Sequence, residues 1–171
     1  MLLSVRFKSF FQALTTGIPR LVLADATETA SCHEIMITQE DIRQIQLAKA
    51  AIYSGISVLM MQLEIVAGDL SKIFLAGAFG TYVYPQSPQV VGIYPDVPLS
   101  RVQFVGNAVG SGARMALMSV DIRRKAREIS KKVRYVELDA DANFQDEFLN
   151  ATYFPHKNLE LFPSVRRLMQ N

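Results

Sequence analysis

The chain has 171 residues, of which 50% are hydrophobic and 20% charged, and its formal net charge is +2. At roughly 150 residues per domain, this length predicts one domain that is large enough to bury a core without disulfides. One cysteine and two histidines exclude an internal disulfide, a thiolate zinc site and an iron–sulfur cluster held by this chain alone. We therefore expect no metal site in the chain, no membrane span and a reducing, cytoplasmic compartment.

The first predicted elements are two short strands and a long helix. Apolar runs predict a strand over 19–24 and a second, weaker strand over 34–37. Thr38 is a suitable N-cap, with Asp41 three residues later as its capping-box partner. Apolar side chains then recur at three- and four-residue steps and mark one face of a helix that ends near Gly68; they are Ile42, Ile45, Ala48, Ile52, Ile56, Leu59 and Leu63.

Two further predicted strands are each followed by a glycine turn. The apolar runs 72–76 and 102–105 are too short for helices, and they lead into Gly77 and Gly106. The prolines within 82–98 predict mostly loop between these strands, with about one turn of helix. Ligands of open α/β sheets bind beyond the carboxyl ends of strands, where glycine lets a base or a phosphate approach the backbone. The two turns therefore indicate a nucleotide pocket; the alternative is that these glycines only permit tight turns or close packing.

Two helices are predicted after the second glycine turn. Asn107 is the expected N-cap of the first, which is rich in small residues and runs to about Ser119, and the second covers 121–132. Nucleic-acid sites interleave aromatic residues and glycines with their cations, and the basic run of the second helix contains neither. This run is therefore a solvated helix face or a docking face for an acidic protein; it consists of Arg123, Arg124, Lys125, Arg127, Lys131, Lys132 and Arg134.

The last part of the chain predicts a strand, a helix and a surface tail. Residues 135–138 are typical of a strand, and residues 144–149 of a short acidic helix. The tail from Tyr153 contains Pro155 and Pro163 and is expected to lie over the surface. Since strands alternate with helices along the chain, the predicted architecture is a layered α/β domain with a largely parallel inner sheet.

Lys49 and Tyr53 are a further candidate pair on the long helix. They lie four residues apart and away from its most apolar stripe, so their side chains are neighbours. An aromatic ring beside a cation is suited to flanking an adenine. The alternative is a solvated lysine next to a half-buried tyrosine.

The order of several motifs is more specific than any one of them. The chain contains, in sequence, ITQEDIRQIQLAKAAIYSGI, KIFLAGAFGTYV, GIYPDVP, VQFVGNAVGSGARMAL, VRYVEL and NATYFP. This set resembles the C-terminal domain of the reductive activators of corrinoid proteins, which are ATP-dependent iron–sulfur proteins of the acetate kinase, sugar kinase, Hsp70 and actin superfamily. The resemblance covers about residues 18–155 and leaves 1–17 as a leader or linker and 156–171 as a C-terminal tail.

The resemblance implies a fold and a set of site residues. The fold is an RNase H-like, actin/Hsp70-type ATPase half-domain with a mixed sheet flanked by helices. In this superfamily LAGAFG is similar to the adenosine motif and GNAVGSGA to the second connecting helix, and the helix before the adenosine strand often touches base and ribose. No catalytic residue is implied, and the implied nucleotide-binding residues are Gly77, Ala78, Phe79, Gly80, Gly106, Asn107, Gly110, Gly112, Lys49 and Tyr53.

The chain also departs from the complete family pattern. It lacks the Asp-x-Gly-Thr hairpin that forms the first phosphate loop and the cysteine-rich electron-transfer domain, and Val109 stands where the pattern has alanine. ATP and Mg²⁺ are therefore expected cofactors of the complete protein, with an iron–sulfur cluster only in a missing N-terminal domain. Because phosphoryl transfer depends on positioning the phosphates and the magnesium ion, we expect the chain alone to bind nucleotide weakly and to hydrolyse it negligibly.

The implied function is that of a nucleotide-binding lobe that helps an activator reduce Co(II) to Co(I) in a corrinoid methyltransferase system. The expected partners are a corrinoid protein and the missing N-terminal lobe or a second chain, and neither nucleic acid nor membrane. One alternative is a non-catalytic docking module for a corrinoid protein or partner chain, without ATP binding. Another is the half-domain of a different actin-like ATPase, such as an activator of a radical dehydratase, although such proteins hold a cluster through cysteines and this chain has only Cys32.

Overall fold

The computed structural model describes residues 20–77, 84–138 and 140–170. The chain divides into two compact units, Met1–Ala48 and Lys49–Asn171. The strands and α-helices in chain order are β1 Arg20–Ala24, β2 Ile35–Thr38, α1 Gln39–Gln62, β3 Ile73–Ala76, α2 Gln86–Val91, β4 Val102–Gly106, α3 Ala108–Met118, α4 Val120–Ser130, α5 Ala142–Ala151 and α6 Pro163–Met169. Across these described ranges, every helix is too short or too polar to cross a bilayer.

The first unit contains an antiparallel strand pair and the capped start of α1. β1 pairs with β2 so that Arg20 lies opposite Thr38, which confirms both predicted strands. At the helix start, the Thr38 N–H donates to Asp41 Oδ2 at 2.8 Å, and the Asp41 N–H donates to Thr38 Oγ1 at 3.2 Å. The hydrogen bond from the Thr38 hydroxyl is the main cause that lowers the pKa of Asp41. The predicted capping box is therefore present.

The buried face of α1 is not the apolar face that the periodicity marks. Ile52, Leu59 and Leu63 of that face are exposed. Ala50 and Tyr53 instead pack in a core cluster with three residues of the C-terminal part of the chain: Ala151, Phe162 and Val165. Small side chains at Ala50, Ser54 and Gly55 let neighbouring elements approach the helix closely, and this property does not register as hydrophobic periodicity.

The two predicted strands with glycine turns form a parallel pair. β3 pairs with β4 so that Ile73 lies opposite Val102 and Leu75 opposite Phe104. Their inward side chains belong to a second core cluster, whose buried residues are Tyr94, Val97 and Val102 and whose partly buried members include Ile56, Ile73 and Leu75. Packing on this cluster places the carboxyl ends of both strands at the same edge.

Two local predictions differ from the structure. Residues 135–138 form no strand, because no neighbouring strand in the described part of the chain supplies a hydrogen-bond ladder for them. In the segment predicted as mostly loop with one turn of helix, the helix is present but longer, since α2 has six residues. Pro88 is compatible with this helix since it lies in the first turn, where a backbone N–H has no partner within the helix.

The C-terminal tail is part of the core and does not lie over the surface as predicted. Phe162 is fully buried and Val165 nearly so. Asp96 fixes this segment, because its Oδ2 accepts the Ser164 N–H at 2.7 Å and its Oδ1 accepts the Ser164 hydroxyl at 2.6 Å. The same Oδ1 accepts Gln89 Nε2 at 2.6 Å, so that one carboxylate joins α2 to the start of α6.

We expect Gly92→Ala to destabilise the fold. Gly92 follows α2 with a φ of 82°, and a Cβ there would lie 2.3 Å from the Pro155 carbonyl oxygen. The left-handed backbone and the clash together should lower the free energy of unfolding by roughly 2–4 kcal/mol. Urea unfolding followed by circular dichroism measures this change.

Gly68→Ala is the matched control. A Cβ at Gly68 meets nothing within 4 Å, so this variant should unfold within about 0.5 kcal/mol of the wild type. Equal stability of the two variants would contradict the close approach of Gly92 to Pro155.

Candidate functional site

The two glycine turns meet at one edge of the parallel pair. The register places Ala76 opposite Gly106, with an irregularity between Leu75 and Ala76. The Gly77 N–H donates to the Gly106 carbonyl oxygen at 2.8 Å. The predicted convergence of the two turns is therefore confirmed, and we call this pair the glycine corner.

Both residues of the glycine corner need to be glycine for their backbone conformation. Gly77 has a φ of 96° and Gly106 a φ of 58°, values at which any Cβ is strained. A Cβ built at either position meets no atom of the described residues within 4 Å. These glycines therefore do not accommodate a neighbouring group of the same unit, and the space beside them is open to a ligand.

Asn107 follows the corner and caps α3 as predicted. Its Oδ1 accepts the Gly110 N–H at 2.8 Å. The cap starts a helix of eleven residues directly beyond the carboxyl end of β4. The positive end of the helix dipole consequently lies next to the glycine corner, which favours a negatively charged ligand there.

The two glycines of α3 differ in their surroundings. A Cβ at Gly110 would lie 2.7 Å from Nδ2 of Asn107, whereas a Cβ at Gly112 would meet nothing within 4 Å. Gly110 therefore makes room for the capping amide. Gly112 adjoins open space, as Gly77 and Gly106 do. Three other predicted site residues, Ala78, Phe79 and Gly80, lie outside the described residues.

Lys49 is buried and not solvated. The residue is 1% exposed, and its Nζ donates to the Pro155 carbonyl oxygen at 2.5 Å. Nζ also lies 5.8 Å from the centroid of the Phe154 ring, within the range of a cation–π interaction. Burial lowers the pKa of Lys49 from 10.5 to about 8. Among the described residues no carboxylate pairs with this amine.

Tyr53 belongs to an aromatic cluster with the C-terminal segment. Its ring centroid lies 5.4 Å from that of His156 and 5.5 Å from that of Phe162. Burial, together with the charge of Glu147, raises the pKa of Tyr53 above its ordinary value. Within the described ranges, no hydrogen bond or ring contact of Lys49 or Tyr53 reaches the glycine corner. The structure thus places this pair with Pro155 and His156, and a nucleotide-binding role for it stays a prediction.

A buried acid–base pair lies beside Tyr53 and was not predicted from the sequence. His156 Nδ1 accepts the Asn158 N–H at 3.0 Å, and Nε2 lies 3.6 Å from Glu147 Oε1. The interaction with His156 is the main cause that lowers the pKa of Glu147, and burial opposes this shift. Glu147 lies on the acidic helix α5 and His156 in the tail. No periodic pattern links the two residues, so the sequence carried no signal for the pair.

The described residues do not assemble a metal site. Within 20–77, 84–138 and 140–170, no three His, Cys, Asp or Glu side chains are close enough together to hold a metal ion. A magnesium ion that accompanies a nucleotide is held largely by phosphate oxygens and water, so this part of the chain need not provide a cluster of ligands.

The glycine corner, the capped helix beyond it and the α/β arrangement agree with the fold class that the sequence predicts. The class itself, an ASKHA-type half-domain, is shown by the comparisons with known proteins. A family model described as the C-terminal domain of RACo, the ASKHA domain, matches residues 6–166. The chain belongs to this family of corrinoid-activator domains.

Individual relatives agree with the family. The chain is 35% identical over 132 residues to a protein named corrinoid activation enzyme RamQ from Eubacterium limosum, a match that covers 77% of this chain and 22% of that protein. A solved structure titled reductive activator for corrinoid, iron–sulfur protein matches with a TM-score of 0.79 and 35% identity, over 85% of this chain and 23% of that one. The chain therefore spans less than a quarter of the length of these relatives. The match favours a corrinoid activator over a dehydratase activator.

We expect substitutions at the two glycines of α3 to change stability by different amounts. Gly110→Ala gains helix propensity but should displace the Asn107 amide, and the loss of the N-cap, about 1 kcal/mol, should cancel that gain. Gly112→Ala should stabilise the helix by about 0.8–1 kcal/mol, because alanine has the higher helix propensity and its Cβ meets no atom. Thermal unfolding of both variants measures the difference, and a shift of the same sign and size in both would contradict the assigned role of Gly110.

The buried amine predicts a pH-dependent stability. The unfolded chain holds the Lys49 proton up to a pH near 10.5, and the folded chain only up to about 8. Because the unfolded state binds more protons in this window, the contribution of Lys49 to the free energy of unfolding rises as the pH increases from 8 to 10.5, and below pH 8 it is constant.

Urea unfolding of the wild type and Lys49→Met at a series of pH values measures this contribution. Above pH 8, the free energy of unfolding of the wild type should rise relative to that of Lys49→Met. Lys72→Met makes the same substitution at an exposed lysine and is the control for the loss of an amine as such. A flat difference for Lys49→Met would show that the amine titrates normally.

Proposed function

We propose that this chain is the nucleotide-binding C-terminal lobe of an ATP-dependent reductive activator of corrinoid proteins. The observation that carries the proposal is the glycine corner, in which two parallel strands end side by side with open space at both Cβ positions. The family and both relatives, which are named as corrinoid activators, support the same function. The lone cysteine is consistent with a reducing, cytoplasmic compartment.

The hydrogen bonds at the corner limit which part of a nucleotide it would contact. The Gly77 N–H is already donated to Gly106, and the Gly110 N–H to Asn107. These amides are therefore not free for a phosphate. A bare backbone surface without Cβ atoms instead suits the flat face of a purine or the ribose. The dipole of α3 would favour the phosphates, which extend toward a second lobe.

Nucleotide binding by this lobe would contribute to cobalt reduction through differential affinity. Co(II) takes up one electron to give Co(I), and in the complete activator this electron would come from an iron–sulfur cluster outside this chain. Each tenfold preference of the closed complex for the reduced corrinoid protein raises the potential by about 59 mV for one electron. A thousandfold preference would therefore correspond to roughly 180 mV, provided that the activator binds the two oxidation states differently.

A titration with a fluorescent ATP analogue tests the proposal. We expect weak, saturable binding to the 171-residue chain, and at least about tenfold weaker binding to Gly77→Val, whose side chain would occupy the corner. Gly112→Leu adds a bulky side chain to open space at a residue whose φ is not strained. Weaker binding by this variant would therefore indicate a blocked pocket and not misfolding.

Gly68→Val is the control variant, because its position is open and lies outside the corner. Thermal melts of all variants establish that they are folded. Absent binding, or binding that is equal in all variants, would contradict ATP binding and favour a docking module instead.

A further inference from the structure

The helices α3 and α4 expose an apolar surface. Neither helix contains a single buried residue, although both are amphipathic. Around their junction, Leu117 is 78% exposed and Met118 87% exposed, and Met115 and Val120 are also more than half exposed. We call these four residues the apolar corner. Contiguous exposed side chains of this size are typical of interaction sites.

The apolar corner is held in a fixed shape. Ser119 separates the two helices, and its Oγ accepts the Ile122 N–H at 3.3 Å as the N-cap of α4. The Arg123 guanidinium donates through Nε to the Ala116 carbonyl oxygen at 3.1 Å, which ties α4 back to α3. A partner would therefore meet a preformed surface, and binding would require little additional ordering.

Positive charge is concentrated next to this corner. Residues 120–134 carry seven basic and two acidic side chains, whereas the whole chain has a net charge of only +2. Arg124 pairs with Asp121 at 3.0 Å. Among the described residues, the other side chains of this segment form no ion pair with a carboxylate; we call five of them the basic face, namely Lys125, Arg127, Lys131, Lys132 and Arg134.

The arrangement fits a protein partner better than nucleic acid or a membrane. Methionine and arginine are enriched in protein interfaces, and Met115 and Met118 lie beside Arg123 and Arg124 in the sequence. A nucleic-acid surface interleaves aromatic residues with its cations, and residues 120–134 contain none. An interfacial membrane helix has Trp, Phe or Leu on its apolar face, and α4 has none of these residues. Leu117, Met118 and Val120, which are all more than two-thirds exposed, instead lie within four residues of one another at the junction of two helices.

We infer that the apolar corner and the basic face dock an acidic surface of the corrinoid protein. The identity of this partner rests on the proposed function, whereas its acidic character follows from the charge of the basic face. Opposite charge around an apolar contact would speed association and fix the orientation of the two proteins.

Biolayer interferometry with a purified corrinoid iron–sulfur protein on the sensor and the 171-residue chain in solution tests the inference. Arg127→Glu/Lys131→Glu should weaken binding at least about tenfold and reduce its dependence on salt. Lys72→Glu/Lys157→Glu is the matched control, because it changes the net charge equally at two exposed positions outside the basic face, and it should bind within about twofold of the wild type.

A second pair of variants tests the apolar corner. Met118→Asp should also weaken binding at least about tenfold, whereas Val66→Asp, at another exposed apolar position, should not. Since all substituted side chains are exposed, we expect unchanged thermal melts and unchanged binding of the ATP analogue.

The possible results separate the inference from the proposed function. Binding of the wild type that is equally affected by both double variants, or by neither, would overturn the docking surface and leave the proposed function intact. No binding of the wild type would overturn both the docking surface and the proposed partner. Binding only to vesicles containing phosphatidylglycerol or to duplex DNA, lost in Arg127→Glu/Lys131→Glu, would assign the surface to a different class of ligand.

Discussion

The hydrogen bond from the Gly77 N–H to the Gly106 carbonyl oxygen determines the geometry of the candidate site. It joins the ends of the parallel strands β3 and β4, at the point where the backbone leaves the sheet after each strand. Both turns have φ values in the left-handed region that favours glycine, and neither Gly77 nor Gly106 carries a side chain. The same bond occupies the Gly77 amide, and Asn107 occupies the Gly110 amide. What remains is a bare surface beside the positive end of α3, an arrangement suited to a nucleoside with its phosphates nearby.

The second structural centre is the contact of α1 with the C-terminal segment. Lys49 donates to the Pro155 carbonyl oxygen, against which Gly92 also packs, and Tyr53 contacts His156 and Phe162. A buried amine without a carboxylate partner among the described residues is costly, as its lowered pKa indicates. The buried Lys49 amine therefore contributes little to the free energy of unfolding. It instead favours one arrangement of α1 and the C-terminal segment, because only that arrangement satisfies its hydrogen bond. The contact fixes the tail to the helix that precedes the glycine corner in sequence.

The two surfaces of functional interest lie at opposite ends of the same helix, α3. Its N-terminus follows Gly106 and is capped by Asn107, and its C-terminus leads through Ser119 into the basic helix α4. A helix of eleven residues therefore connects the glycine corner to the apolar corner.

The sequence by itself determined the local elements and the family. The apolar runs of β1 to β4, the Thr38 and Asn107 caps and the glycines after β3 and β4 depend on backbone chemistry within a few residues, and these are present as predicted. Only the tertiary structure decided which face of α1 is buried, that residues 135–138 form no strand, that Phe162 lies in the core, and that Glu147 meets His156. These features depend on contacts between residues far apart in the chain. Periodicity identifies a helix, but the shape of its neighbours selects the face that packs.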